Sequence, residues 1–128
     1  MKTHQDPRHL KRIQAMQDLF AWEFNPQKAN EGTAGQIIQN LAQIDEEIKK
    51  AAPTWPIDKI NKIDLSILRL AIFELIIVSD TPYKVTVDEA VELAKEFGTE
   101  ASPGFINGAL GNIISVHGLD KKNELASN

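Results

Sequence analysis

The stretch from Leu65 to Val78 is apolar on nearly every side, broken by charge only at Arg69 and Glu74, and it constrains the chain more than any other feature. It is shorter than the roughly eighteen uninterrupted apolar residues a bilayer span needs. A helix that is apolar all round belongs at the centre of a fold, with other elements packed on each side. The pattern therefore predicts a buried central helix over residues 64–78. No segment alternates apolar and polar residues at the strand period, and no internal repeat is visible. The expected class is all-α, a compact helical bundle. At 128 residues and 42% apolar content the chain can bury one core, so one domain over 1–128 is expected, with 120–128 a frayed polar tail.

Other helices are marked by their end signals. Asp6-Pro7 reads as N-cap and first helical position, and Leu10, Ile13, Met16 or Gln17, Phe20 and Phe24 then recur at helical spacing. Asn25 to Gly35 reads as a loop. A second helix carries Ile37, Ile38, Leu41, Ile44 and Ile48 on one face, with Asp45, Glu46, Glu47, Lys49 and Lys50 on the wet face, until Pro53 and Pro56 stop it. Trp55, between those prolines, is expected to anchor its ring in the core. Ile57 to Ile60 reads as a short turn. Tyr83-Lys84-Val85 reads as an extended connector, because Thr81 precedes Pro82. Thr86 and Glu89 form a Thr-x-x-Glu capping box ahead of a helix that Gly98 ends. Ser102-Pro103 repeats the start signal for a last helix, which runs to about Val116 with Gly118 at its exit.

Charge and chemistry narrow the function. Residues 1–12 carry Lys2, Arg8, Lys11 and Arg12 against Asp6, a net +3, so the overall charge of -4 leaves -7 on the rest. A basic tip on an acidic body favours local contact with an anion over binding across the whole surface; the alternative is a tip that merely aids solubility. With no cysteine and a polar start lacking a secretory apolar region, a reducing, cytoplasmic setting is expected. His4, His9 and His117 are scattered, and neither a nucleophile elbow nor a phosphate loop is present, so no enzyme, metal, cofactor or small-molecule substrate is expected. Asp88, Glu89, Glu92 and Glu96 read as a solvated helix face, a metal site being the alternative.

Two features point toward nucleic acid. Arg8, Lys11 and Arg12 lie at i, i+3 and i+4 and share one face of the first helix, suited to successive phosphates, and Lys84 extends the strip if its connector folds back. On the last helix, Phe105 lies about 100° from the centre of the apolar stripe Ile106, Ala109, Leu110 and Ile113. It is either a core ring or a platform on which a single-stranded base stacks, and the platform requires the cations to lie near it. Gly104, Gly108 and Gly111 fall on the opposite face, which suggests close approach by another backbone, through tight packing or a ligand groove.

Three blocks in order, Ile67 to Leu75 followed by Pro82 to Val85, Asp88 to Gly98, and Phe105 to Leu110, resemble the NusB family. The first helix fits through Arg8, Arg12, Ala15, Leu19, Phe20 and Trp22, whereas residues 25–50 match only in helical character. The resemblance implies two packed three-helix sub-bundles and no bond chemistry. It also implies that the chain binds the single-stranded boxA element of nascent ribosomal transcripts together with the ribosomal protein NusE, and reaches the RNA polymerase elongation complex indirectly. By the same resemblance Arg8, His9, Lys11 and Arg12 correspond to the family's basic region, and Phe20, Lys84 and Phe105 to its RNA side. Asp64 and Arg69 fall on the partner-facing helix, although Arg69 and Glu74 read equally as internal pairs.

The chain departs from the family where the arginine cluster thins to Arg8 and Arg12, and where Ala101 and Gly104 precede Phe105. Fewer cations release fewer counterions, so RNA binding is expected to need the protein partner. Two alternatives stay open: a helical interaction or dimerisation module without RNA binding, and a stand-alone relative of the N-terminal domain of ribosomal RNA cytosine methyltransferases. A chain ending at Asn128 is expected to leave no room for a catalytic domain.

Overall fold

The computed structural model describes residues 6–26 and 31–121. Lys2 and His4 of the basic tip, and 122–128 of the expected tail, lie outside the described residues, whereas Asp120 and Lys121 form part of a helical turn after Gly118. Helix α1, Pro7–Phe24, starts as its signals predict: Asp6 Oδ1 accepts from the Arg8 backbone N–H at 2.8 Å, and Pro7 occupies the first turn.

The single helix expected next is two, α2 (Gly32–Gln39) and α3 (Leu41–Ala51). Gly32 enters at φ 66, a left-handed conformation open to glycine, so the loop is shorter than expected. At Asn40 the backbone leaves helical geometry (φ -107, ψ 15), and the side-chain amide donates to the Gln36 carbonyl at 2.8 Å. Asparagine competes for backbone partners in this way. The break still leaves Ala34 and Ile37 of α2, and Ile44 and Ile48 of α3, in the common core.

Trp55 corrects a second expectation. Its ring is 54% exposed rather than anchored inside, because Pro53 and Pro56 hold the segment in a tight surface turn and Ile60 fills the core position beside it. Ile57–Lys59 forms the expected short turn, a 3-10 one. Helix α4, Lys62–Ile72, starts two residues before the apolar run predicts, where Asn61 Oδ1 accepts from the backbone N–H of Ile63 (2.8 Å) and Asp64 (3.3 Å). Every residue from Asp64 to Ile72 is buried, and a π-helical extension, Phe73–Val78, follows.

Helix α5 spans Tyr83–Phe97, so Tyr83, Lys84 and Val85 are its first turn and not an extended connector. Pro82 holds the N-cap position in extended geometry, and its carbonyl accepts from Val85 at 3.0 Å and Thr86 at 3.3 Å. Thr86 and Glu89 therefore lie inside the helix and form no capping box; both are buried. Helix α6, Ser102–His117, carries its N-cap at Ala101, while Ser102 Oγ turns back to accept from the Thr99 N–H at 2.9 Å. Gly118 at φ 62 ends it as expected. The glycine face is also corrected. Nothing lies within 4 Å of where a Cβ would stand at Gly104, Gly108 or Gly111, since α6 buries Ile106, Ala109, Leu110 and Ile113 and leaves the other face to solvent.

The architecture is all-α, with α1–α3 and α4–α6 as two sub-bundles. Helix α4 packs against all five others, and one hydrophobic core runs through both. The α5–α6 corner is the tightest joint. A Cβ at Gly98 would stand 2.6 Å from Ser102 Cβ and 2.8 Å from the Ala94 carbonyl oxygen. Gly98→Ala is therefore expected to destabilise by about 1–3 kcal/mol in a urea titration, as overpacking of a close-packed joint does. No helix among the described residues is long and apolar enough to cross a membrane.

Candidate nucleic-acid interface

The first two turns of α1 separate the four basic residues into an outer and an inner pair. Arg8 has an 83% exposed side chain and contacts only Asp6 (3.2 Å) among the described residues; Lys11 is exposed as well. Asp6 holds the Arg8 guanidinium above its ordinary pKa, and Arg8 in turn lowers the Asp6 carboxyl. His9 is buried, its Nδ1 3.1 Å from Glu89 Oε2 and its Nε2 3.3 Å from Glu96 Oε2, both on α5. Arg12 donates to both oxygens of Glu74 at 2.7 and 2.9 Å, and lies 3.6 Å from Glu89. That bond to Glu74 raises the Arg12 pKa against the opposing effect of burial. The i, i+3, i+4 spacing thus gives no single cationic face. Arg8 and Lys11 face outward, while His9 and Arg12 tie α1 to α5 and the π-helical turn.

Arg8, Lys11 and Arg12 line an open groove of about 330 Å³ between α1, α2 and the π-helical turn, with Thr33, Gln36 and Val78 across from them. Arg8 also borders a wider hollow of about 750 Å³, whose other walls include Asp88, Glu92, Lys95 and Asn107. Phe105 is half-buried and lines neither. Its groove, about 250 Å³, is shared with Trp55, Lys59, Ile60, Asn61, Asp64 and Ala101. Asn107, which faces Arg8, stands about 200° round α6 from Phe105. The structure therefore does not bring the ring and the basic tip into one groove. Phe20 is half-buried and meets Phe24 edge to face, with ring centroids 5.0 Å apart. Lys84 is exposed in the first turn of α5, its ammonium 6.0 Å from the Tyr83 ring.

The two residues on the central helix differ in kind. Arg69 is an internal tie: it donates to both Asp45 oxygens at 3.0 Å, bonds Glu23, and lies 5.9 Å over the Trp22 ring. Burial opposes its charge, but Asp45 and Glu23 outweigh that and raise its pKa. With Glu74 bound to Arg12, both residues take the internal role. Glu23 and Asp45 escape a reading of the sequence because pairing across 46 and 24 residues leaves no trace in local spacing.

Asp64 is 7% exposed, and its Oδ1 has no hydrogen-bond donor. Burial pushes its carboxyl above the ordinary value of 3.8, against a smaller opposing pull from Ser102. A native pKa above the unfolded one means that the stability it confers is complete below 3.8 and declines as pH rises through the native value. Asp64→Asn is thus expected to raise Tm at pH 7, with the gain shrinking as the pH is lowered toward 4. Scanning calorimetry across that range checks both the sign and the window.

Residues 33–115 match the family described as the NusB family. The transcription antitermination protein NusB of Natranaerobius thermophilus is 43% identical over 102 residues, covering 80% of this chain and 71% of that protein. That of Geobacter sulfurreducens is 48% identical over 80 residues, covering 62% of this chain and 58% of its own length. That of Thermotoga maritima is 42% identical over 89 residues, which is 70% of this chain and 63% of its own. The chain thus spans less than two thirds of the latter two. A solved structure of T. maritima NusB superposes with a TM-score of 0.76 at 32% identity, covering 90% of this chain and 93% of that one. A chain in a crystal structure described as a plectonemic RNA supercoil superposes with a TM-score of 0.75 at 21% identity, covering 86% and 95%, a likeness of fold.

Proposed function

The chain belongs to the NusB family, and from that premise we propose that it is an RNA-binding adaptor of transcription antitermination. In this reading it grips a single-stranded, boxA-like RNA jointly with the ribosomal protein NusE, and through that pair it acts in the cytoplasm on the elongating RNA polymerase without making or breaking bonds. The observation that carries it is the outward pair Arg8 and Lys11, two cations on one edge of α1 above an acidic body. Phosphates are drawn to that edge and repelled elsewhere, which orients a strand. His9 and Arg12 serve by fixing the edge in place. Phe20 and Lys84 extend the RNA side, whereas Phe105, in a separate groove, is left out of this grip, and Asp64 faces the protein partner.

Two exposed cations make a small electrostatic contribution, since each neutralised phosphate adds only about 0.7 to the logarithmic salt slope on single strands. The chain alone is therefore expected to bind boxA RNA weakly, and the complex with NusE to bind it well. Anisotropy titrations at fixed salt, with and without NusE, measure this directly; equal affinities would contradict it. The inward turn of His9 and Arg12 favours one second reading, a helical interaction module that no longer binds RNA. Failure of the complex to prefer boxA over a scrambled sequence would support that reading.

A further inference from the structure

His9 stands between two carboxylates at the joint of α1 and α5. Its ring is buried, with Nδ1 3.1 Å from Glu89 Oε2 and Nε2 3.3 Å from Glu96 Oε2, residues two turns apart on α5. Arg12, one turn along α1, lies 3.6 Å from Glu89 and donates to Glu74 of the π-helical turn. Toward solvent, Asp6 and Arg8 hold each other at 3.2 Å. A neutral imidazole carries one N–H and one bare lone pair. In that form one ring nitrogen would donate, while the other would meet a carboxylate oxygen lone pair to lone pair, a costly contact in a low-dielectric site. With a proton on each nitrogen, both contacts become charge-assisted hydrogen bonds. A proton on either carboxyl serves the same end, so the extra proton belongs to the triad and not to one atom.

We propose that this extra proton docks the first turns of α1 on α5, and that His9 is thereby a positioning residue that makes the RNA edge pH-dependent. The inference rests on the reading of Arg8 and Lys11 as that edge. Arg8 directly precedes His9 and Lys11 follows it by two positions, so neither keeps its place when the ring leaves α5. Because the docked state holds the extra proton, docking is complete in acid and is lost as the pH rises through the titration of the triad.

The test uses the full chain and its complex with NusE, each followed from roughly pH 5.5 to 9, a range that brackets imidazole titration. NMR of the nitrogen-15-labelled chain alone is expected to show both His9 ring nitrogens protonated in the docked state. The Arg8 and Lys11 amide signals are expected to move as His9 titrates. The affinity of the complex for boxA RNA is expected to fall across the range at least about threefold more than with His9→Gln, whose amide does not titrate. That comparison cancels the titration of the RNA and of NusE. His9→Arg, a cation at every pH, is expected to restore binding at the alkaline end. A ring with one bare nitrogen while the Arg8 and Lys11 amides keep their docked positions would overturn the proposal, as would a His9→Gln complex with the parental pH profile. Should the complex show no preference for boxA at any pH, the RNA reading fails, while the ring and amide signals still decide the docking proton.

Discussion

Arg69→Ala is expected to remove roughly 3–5 kcal/mol of unfolding free energy, the largest loss of any single polar substitution in the chain. Its guanidinium is nearly enclosed and engages Asp45 through both oxygens, bonds Glu23, and covers Trp22, so it joins α1, α3 and α4 at one point. Deleting it leaves two partly buried carboxylates facing each other, with only the part-exposed Lys62, 3.6 Å from Glu23, as a remaining cation among the described residues. Much of the loss comes from that stranding and little from the net worth of the pairs. Removing the carboxylates as well, with Glu23→Gln and Asp45→Asn in an Arg69→Met chain, is therefore expected to recover most of it. Arg69→Lys is not, because an ammonium cannot span the same fork. Urea titrations with unchanged m-values check the set, and a loss below about 1 kcal/mol would mean that the network behaves as screened surface pairs.

Arg8→Glu combined with Lys11→Glu is expected to weaken boxA binding by the NusE complex about tenfold or more at low salt, and to flatten the salt dependence by about 0.7 for each phosphate that is no longer neutralised. Both side chains are exposed, so thermal stability is expected to stay within about 0.5 kcal/mol of the parent. That separation is the value of the pair. Arg12→Glu would instead push a carboxylate against Glu74 and Glu89 and damage the fold before any RNA arrives. Unchanged RNA affinity in the Arg8 and Lys11 variant would remove the edge of α1 from the interface.

Much of the architecture is legible because helices declare themselves locally. Asp6-Pro7, the apolar run to Val78, and Gly118 are signals written within a few neighbouring residues, and each falls within two positions of the observed boundary. The misreadings share a cause. At Asn40 a side-chain bond competes with the helix, at Pro82 the helix begins sooner than the Thr86 box suggests, and at Trp55 two prolines outrank the pull of burial. At Asn40 and Pro82 one short-range signal outweighs another, and at Trp55 a short-range signal outweighs burial. The candidate interface is less legible still. Spacing places Arg8, Lys11 and Arg12 on one helical face, but whether a cation meets solvent depends on what the opposing helix presents. Glu74 lies 62 residues along the chain from Arg12, and Glu89 lies farther still. Phe105 stands apart from the apolar stripe as its spacing predicts, yet its groove partner Trp55 comes from a connector whose path no periodicity describes.

Ultraviolet crosslinking of a boxA RNA to the complex with NusE, followed by mass spectrometric mapping of the modified peptides, bears most directly on an RNA edge at the start of α1. Crosslinks to this chain are predicted to concentrate on the peptide that carries Arg8 and Lys11 and to disappear with scrambled RNA. Crosslinks confined to NusE, or falling on this chain only away from α1, would contradict it.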